Sequence, residues 1–122
     1  MPRLAAAALA AAITALPLTA LPVAALAERV TTREAFVGLV GGRDLTSTGI
    51  TLRVGDDGRI SGRAFGREVR GTWTWERGWF CRTLAWGARE WPLNCQLVVR
   101  DGERVVFTAD KGAGDRATLA LR

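Results

Sequence analysis

The sequence predicts a mainly β protein: a small antiparallel meander or barrel with one short N-terminal helix. Beyond residue 49, apolar and polar residues alternate with a period of two, which is typical of strands that bury one face. Glycine-containing turns interrupt this alternation at short intervals. No segment between the strands has the periodicity of a crossover helix, so the strands have to be joined as antiparallel hairpins.

The first 27 residues differ in composition from the rest of the chain. They carry one charged side chain, Arg3, ahead of a continuous run of alanine, leucine, valine, isoleucine, threonine and proline. This composition is typical of a secretory signal peptide, and Ala25-Leu26-Ala27 fits the rule for its cleavage site. The sequence therefore predicts a signal peptide over residues 1–27, a single domain over residues 28–122, and a periplasmic or secreted location.

A retained signal anchor is the alternative interpretation of this leader. The apolar run that starts at Leu4 is long enough to cross a bilayer. Pro17 and Pro22 interrupt its second half, however, and the cleavage site lies at its end. No cysteine directly follows the cleavage position, which argues against a lipid anchor. We therefore expect no stable membrane anchor after cleavage.

The charge balance of the domain is mildly basic. Of the 17 basic residues only Arg3 lies in the leader, which leaves 16 against 12 acidic residues. Alternation within the predicted strands places several arginines on outward faces: Arg53, Arg63, Arg70 and Arg100. This pattern favours a solvated surface over an anion-binding one. Nucleic acid is not an expected partner, because an exported protein does not normally meet it.

The chain contains no histidine, which removes the commonest metal ligand and the commonest general base together. Serine–histidine, cysteine–histidine and zinc-hydrolase centres are thereby excluded. The remaining candidates are carboxylates, and no spacing among them defines an acid/base pair: Glu76, Glu90, Asp110 and Asp115. The sequence therefore predicts a protein without a catalytic centre, a cofactor or a metal.

One short helix is predicted near the start of the domain. Thr31-Thr32-Arg33-Glu34 matches a capping box, in which a threonine oxygen accepts from a backbone amide and the glutamate reaches back. The helix buries Phe36, Leu39 and Val40 at helical spacing. It ends at Gly41-Gly42, where glycine allows the positive φ of a helix terminus.

The rest of the domain after the helix is predicted to consist of strands joined by tight turns. The first two predicted strands flank the turn Gly55-Asp56-Asp57-Gly58, and Gly66 separates the second from a long strand that ends at Trp75. Farther along, alternate residues Cys95, Leu97 and Val99 lead into the hairpin turn Asp101-Gly102. A last strand with Ala117, Leu119 and Leu121 closes the sheet against the first strand. The expected result is a barrel of lipocalin-like size and shape.

All five tryptophans and both cysteines lie between Gly71 and Cys95. Trp73 and Trp75 are two apart, so both indoles leave the same face of a strand and are predicted to lie in the core. Glu76-Arg77-Gly78 is predicted to form a three-residue hairpin loop. Cys81 and Cys95 lie on neighbouring strands, and an exported chain favours a disulfide between them. Closing that loop is worth ~3 kcal/mol.

The other two tryptophans of interest lie in a segment of turn-forming and charged residues. Trp86 and Trp91 are therefore candidates for the barrel mouth, with Arg82 and Arg89 as polar groups that orient a ligand. A small amphipathic or anionic molecule, such as a lipid or a cell-wall fragment, would suit these four residues. Packing of the indoles in the core is the alternative. We expect the protein to be a monomer.

Residues 112–117 match the GxGxxA pattern of dinucleotide-binding proteins. That motif requires a strand before it, a helix after it and a further strand with an acidic residue about twenty positions on. Too little chain follows Ala117 to supply them. The segment is therefore predicted to be a glycine-rich hairpin loop.

Several of these residues together carry a resemblance: Gly71-Thr72-Trp73-x-Trp75, Phe80-Cys81-Arg82, Trp86, Asn94-Cys95 and Asp110-Lys111-Gly112-x-Gly114. The pattern resembles that of a family of small exported alphaproteobacterial proteins, and the resemblance covers essentially all of residues 28–122. The family has no established activity, although several members carry the name dihydrodipicolinate reductase. That name implies a NAD(P)H-dependent enzyme of lysine synthesis as the alternative function, and it assigns no residue of this chain to a site.

Overall fold

The computed structural model of the protein describes residues 10–19 and 26–122. The predicted signal peptide lies partly outside these ranges, since residues 1–9 and 20–25 are not described. Residues 10–19 are exposed and form neither helix nor strand. Among the described residues, no helix has the length and apolar character needed to span a membrane.

Nine strands and one α-helix make up the described part of the chain. The chain order is β1 (Glu28–Arg29), α1 (Arg33–Val40), β2 (Leu45–Ser47), β3 (Ile50–Val54), β4 (Arg59–Ala64), β5 (Arg67–Glu76), β6 (Trp79–Trp86), β7 (Arg89–Asp101), β8 (Arg104–Thr108) and β9 (Arg116–Leu121). A short 3₁₀ turn, Asp110–Gly112, precedes β9. Every pairing is antiparallel, and β2 to β9 form a closed eight-stranded barrel. The predicted fold is therefore confirmed.

The long strand β7 closes the barrel by pairing with two other barrel strands, and β1 pairs with its C-terminal part, where Arg29 lies opposite Val99. The first half of β7 pairs with β6, and its second half, from Leu97 onward, pairs with β8. The last strand, β9, was predicted to pair with the first predicted strand, the present β3. It pairs instead with β2, where Leu121 lies opposite Leu45. β2 has only three residues, so its alternation is too short to be recognised in the sequence.

The helix covers one end of the barrel. Its N-cap is Thr32, whose side-chain oxygen accepts a hydrogen bond from the amide of Ala35 at 3.1 Å. The predicted capping box is therefore wrong by one residue: Glu34 becomes the second helical residue and does not complete it. Phe36 is fully buried, as predicted, along with Leu39 and Val40.

The two ends of the barrel differ because the connections alternate between them. The turns at residues 55–58, 77–78 and 102–103 lie at the same end as α1, and we call this the closed end. Arg33 holds the helix there by donating to the carbonyl of Asp56 at 2.8 Å. The turns at residues 48–49, 65–66 and 87–88 lie at the opposite end with the 3₁₀ turn, and we call this the open end.

The tryptophan hairpin differs from its prediction in the turn. Glu76 pairs with Trp79, so the loop has two residues, Arg77 and Gly78, and not three. Both have positive φ, 50° and 89°, as in a type I′ turn. A type I′ turn is favoured in two-residue hairpins because its backbone twist matches the right-handed twist of the flanking strands.

The predicted disulfide is present. Cys81 on β6 lies directly opposite Cys95 on β7, with a Cα–Cα distance of 3.9 Å. Their side chains leave the outer face of the sheet, because the neighbouring Phe80 and Arg82 face the interior. The bridge therefore joins two adjacent strands from outside the barrel.

Gly71 shows why the sheet requires glycine at this position. A Cβ atom there would overlap the carbonyl oxygen of Thr83 on the adjacent strand. Gly71→Ala is expected to destabilise the protein by about 1–3 kcal/mol, because backbone has to move to make room. The measurement is chemical denaturation followed by tryptophan fluorescence.

Gly38→Ala is the matched control for that substitution. Gly38 is exposed on α1, and a Cβ atom there meets no other atom within 4 Å. Alanine is favoured over glycine in a helix, so this variant is expected to gain about 0.5–1 kcal/mol. Equal stability of the two variants would contradict the proposed backbone clash.

A candidate ligand-binding lumen

The interior of the barrel contains a chamber at the open end with a volume of about 290 Å³. We call it the apolar chamber, because only apolar and aromatic residues line it: Ile50, Leu52, Ala64, Phe65, Val69, Leu84, Trp86 and Trp91. A smaller deep chamber of about 120 Å³ continues from it past Leu52 and Leu84, which line both. The deep chamber extends the apolar surface towards the barrel centre.

A third space of about 340 Å³, the polar chamber, lies beside the 3₁₀ turn. It shares Arg82, Gln96 and Phe107 with the deep chamber and Trp91 with the apolar chamber. The three chambers therefore share walls, and we call them together the lumen, which has an apolar side and a polar side. Such a division suits a molecule with one apolar and one polar part.

Arg82 lies where the deep and polar chambers meet. It alternates on β6 with Phe80 and Leu84, and this period of two turns all three side chains inward. The Nη1 atom of Arg82 is buried and, among the described residues, has no hydrogen-bond partner. Burial lowers the pKa of the Arg82 guanidinium, yet arginine keeps its proton in proteins, so the lumen contains a positive charge.

Asp110 and Asp115 line the polar chamber together with Arg82, but neither pairs with it within 4.0 Å. None of the three ion pairs found among the described residues involves it. Asn94, opposite Arg82 on β7, exchanges two hydrogen bonds with Asp110, at 2.7 and 3.0 Å. Gln96 is only 7% exposed and lines the same two chambers. The Nη1 group of Arg82 therefore faces the lumen as a hydrogen-bond donor without an acceptor among the described residues.

The predicted mouth residues divide into two groups. Trp86 and Trp91 are half-buried and line the apolar chamber, while Arg82 lies deeper than expected. The indole of Trp86 donates to the carbonyl of Ala64 at 2.8 Å, which fixes its orientation. Arg89 does not line the lumen: it is exposed and lies over the Trp91 ring, 4.6 Å from the centroid.

The outward position predicted for Arg100 implies that Leu97 and Val99 on β7 face inward, and this phase of the alternation is wrong. Gln96 and Val98 face the core, whereas Leu97 and Val99 are half-buried on the outer side. The disulfide explains the difference, since Cys95 belongs to the outer face and fixes the phase of its neighbours. Gln96 was therefore missed as a lumen residue. The sequence does contain an indication of it, because an outward Cys95 turns the next residue inward.

Two further observations concern a possible metal site and the NAD(P)H-dependent alternative function. Among the residues that the structure describes, no cluster of histidine, cysteine, aspartate and glutamate could hold a metal ion. The glycine-rich loop leads into strand β9 and not into a helix, as expected for a hairpin loop. It therefore lacks the helix N-terminus that receives a pyrophosphate in dinucleotide-binding proteins.

No family model matches the chain, and comparisons with curated proteins and with solved structures find no match either.

Proposed function

We propose that the protein is an exported, non-catalytic binding module that holds a small amphipathic anion in the barrel lumen. The observation that carries this proposal is the buried Nη1 atom of Arg82, which has no hydrogen-bond partner among the described residues. Arg82 lines the deep chamber, which adjoins the apolar chamber. A buried charge is costly unless it is paired and hydrogen-bonded. A bound anion supplies both the pairing charge and the acceptor.

The division of the lumen supports a particular orientation of the ligand. A carboxylate or phosphate would accept charge-assisted hydrogen bonds from Arg82, with the Gln96 amide beside it. The apolar part would fill the space between Leu84, Trp86 and Trp91, where its removal from water favours binding. The head group therefore points inward and the tail points to the open end.

Arg82→Met tests this proposal, because methionine keeps the apolar stem and removes the charge. Binding of dodecanoate, followed by tryptophan fluorescence, is expected to weaken at least tenfold, the loss of one charge-assisted hydrogen bond. Stability is expected to stay unchanged or to rise by about 1 kcal/mol, because an unpaired buried charge is removed. Arg70→Met, at an exposed outward position on β5, is the matched control and should bind normally.

The uncharged analogue dodecanol gives a second control. It should bind the wild-type protein and Arg82→Met with similar affinity, since it offers no charge to Arg82. Two results would contradict the proposal: no saturable binding of dodecanoate or dodecyl phosphate to the wild-type protein, or equal affinities of Arg82→Met and wild type for both anions.

A further inference from the structure

The hairpin between β4 and β5 presents an aromatic side chain at the open end. Phe65 is 67% exposed, and it forms the two-residue turn with Gly66. Both residues have positive φ, 50° and 79°. This turn favours asparagine, aspartate and glycine, and a bulky residue with positive φ is an outlier. Turn geometry therefore does not explain a phenylalanine at this position. Its ring lies against Gly49 and edge-on to Trp86, with 6.3 Å between the ring centroids, yet two thirds of the residue stays exposed.

Arginines surround this aromatic position. Arg67 lies over the ring of Trp86 at 5.7 Å, and Arg89 lies over that of Trp91 at 4.6 Å. The third, Arg63, donates to the carbonyl of Gly66 at 2.9 Å. We call the six residues the open rim: Phe65, Trp86, Trp91, Arg63, Arg67 and Arg89. Aromatic side chains with adjacent cations are the composition of a surface that meets lipid head groups.

The ion pairs of the barrel lie away from the open rim. The described residues form three of them, Arg43–Glu103, Arg53–Asp44 and Arg59–Asp57, and all three lie towards the closed end. Two exposed carboxylates, Glu68 and Glu90, neighbour the open rim without pairing within 4.0 Å with its arginines. The three rim arginines are thus available to an external anionic surface.

We propose that the open rim docks peripherally on an anionic lipid bilayer, with Phe65 entering the head-group region and the arginines facing lipid phosphates. Aromatic rings favour this interfacial depth, and each basic residue near an anionic surface adds to the attraction. The barrel would then stand with its open end on the membrane and its helix-covered end away from it. The aromatic residues of the open rim also line the apolar chamber, whereas the rim arginines do not, so the arginines separate this inference from the proposed lumen ligand.

Co-sedimentation with vesicles tests the inference. The purified protein without its predicted leader is mixed with vesicles of phosphatidylcholine alone, or of equal parts phosphatidylglycerol and phosphatidylcholine. Binding is expected with the anionic vesicles, little with the neutral ones, and less as the salt concentration rises. Equal binding to both compositions, or none to the anionic one at low salt, would overturn the proposal.

Two variants locate the contact. Phe65→Asn places a residue that tolerates positive φ in the turn, so the melting temperature should hold or rise while vesicle affinity falls about tenfold. Arg67→Gln/Arg89→Gln should lower the affinity more than tenfold, since each basic residue contributes about fivefold.

Matched controls separate the open rim from general surface effects. Leu93→Asn changes another exposed apolar residue, 64% exposed, on the outer side of β7. Arg100→Gln/Arg104→Gln removes two exposed charges near the closed end. Both should leave vesicle binding nearly unchanged, and a loss equal to that of the rim variants would overturn the proposal. Arg82→Met should still bind vesicles, so the lumen and rim proposals can fail separately.

Discussion

Phe36→Ala is expected to destabilise the protein by about 3–5 kcal/mol. Phe36 has no exposed surface, and its ring lies 4.9–5.2 Å from the rings of Trp73, Trp75 and Phe80. It is the largest of the three helix side chains in the barrel core, so alanine would leave a cavity that the rigid strands cannot close. Denaturant unfolding monitored by tryptophan fluorescence measures the change.

Phe65→Ala makes the same deletion at an exposed position and serves as the control. Phe65 is 67% exposed, so its loss should change the free energy of unfolding by less than about 0.5 kcal/mol. If Phe36→Ala were no more destabilising than Phe65→Ala, the helix would not be part of the cooperative core.

Replacing both Cys81 and Cys95 by serine is expected to lower stability by about 2–5 kcal/mol while the circular dichroism spectrum stays unchanged below the melting point. The bridge constrains the unfolded chain, and the ladder of β6 and β7 remains in place to form the strands. Denaturant unfolding of the variant and of the reduced wild type should agree.

A non-covalent cross-strand pair near the bridge provides the control. Thr72 and Thr83 lie opposite each other on β5 and β6, and their hydroxyl oxygens are 2.9 Å apart. Replacing both by alanine should cost only about 0.2–1 kcal/mol. Two free thiols in unreduced, denatured protein, or equal losses in the two double variants, would contradict the role given to the disulfide.

The strands and the helix could be predicted because their residues repeat with a clear period. Ile50, Leu52 and Val54 alternate over enough positions to define a strand, and Phe36, Leu39 and Val40 define the buried face of α1. β1 and β2 could not be predicted, because two and three residues are too few to show a period. Closure of the barrel places β2 between β3 and β9, and β1 forms outside the barrel by pairing with the C-terminal part of β7.

The candidate site was predicted only in part. Trp86 and Trp91 stand out in the sequence because they lie among turn residues, and they do line the lumen. The inward position of Arg82 could not be predicted, since charge normally argues for an outward position and only the alternation of β6 turns it inward. Phe65 was missed because the adjacent Gly66 indicates only an interruption between two strands.

The closure of the barrel through β2 and β9 also has a kinetic consequence. Leu45 and Leu121 are neighbours in the barrel although most of the domain separates them along the chain. Proteins rich in such non-local pairings fold slowly, because the entropy of closing a large loop is lost before its contacts form. Until β9 arrives, the edges of β2 and β8 are unpaired and can join another chain. A chaperone that covers these edges during folding would therefore act on the step at which the protein is most prone to aggregate.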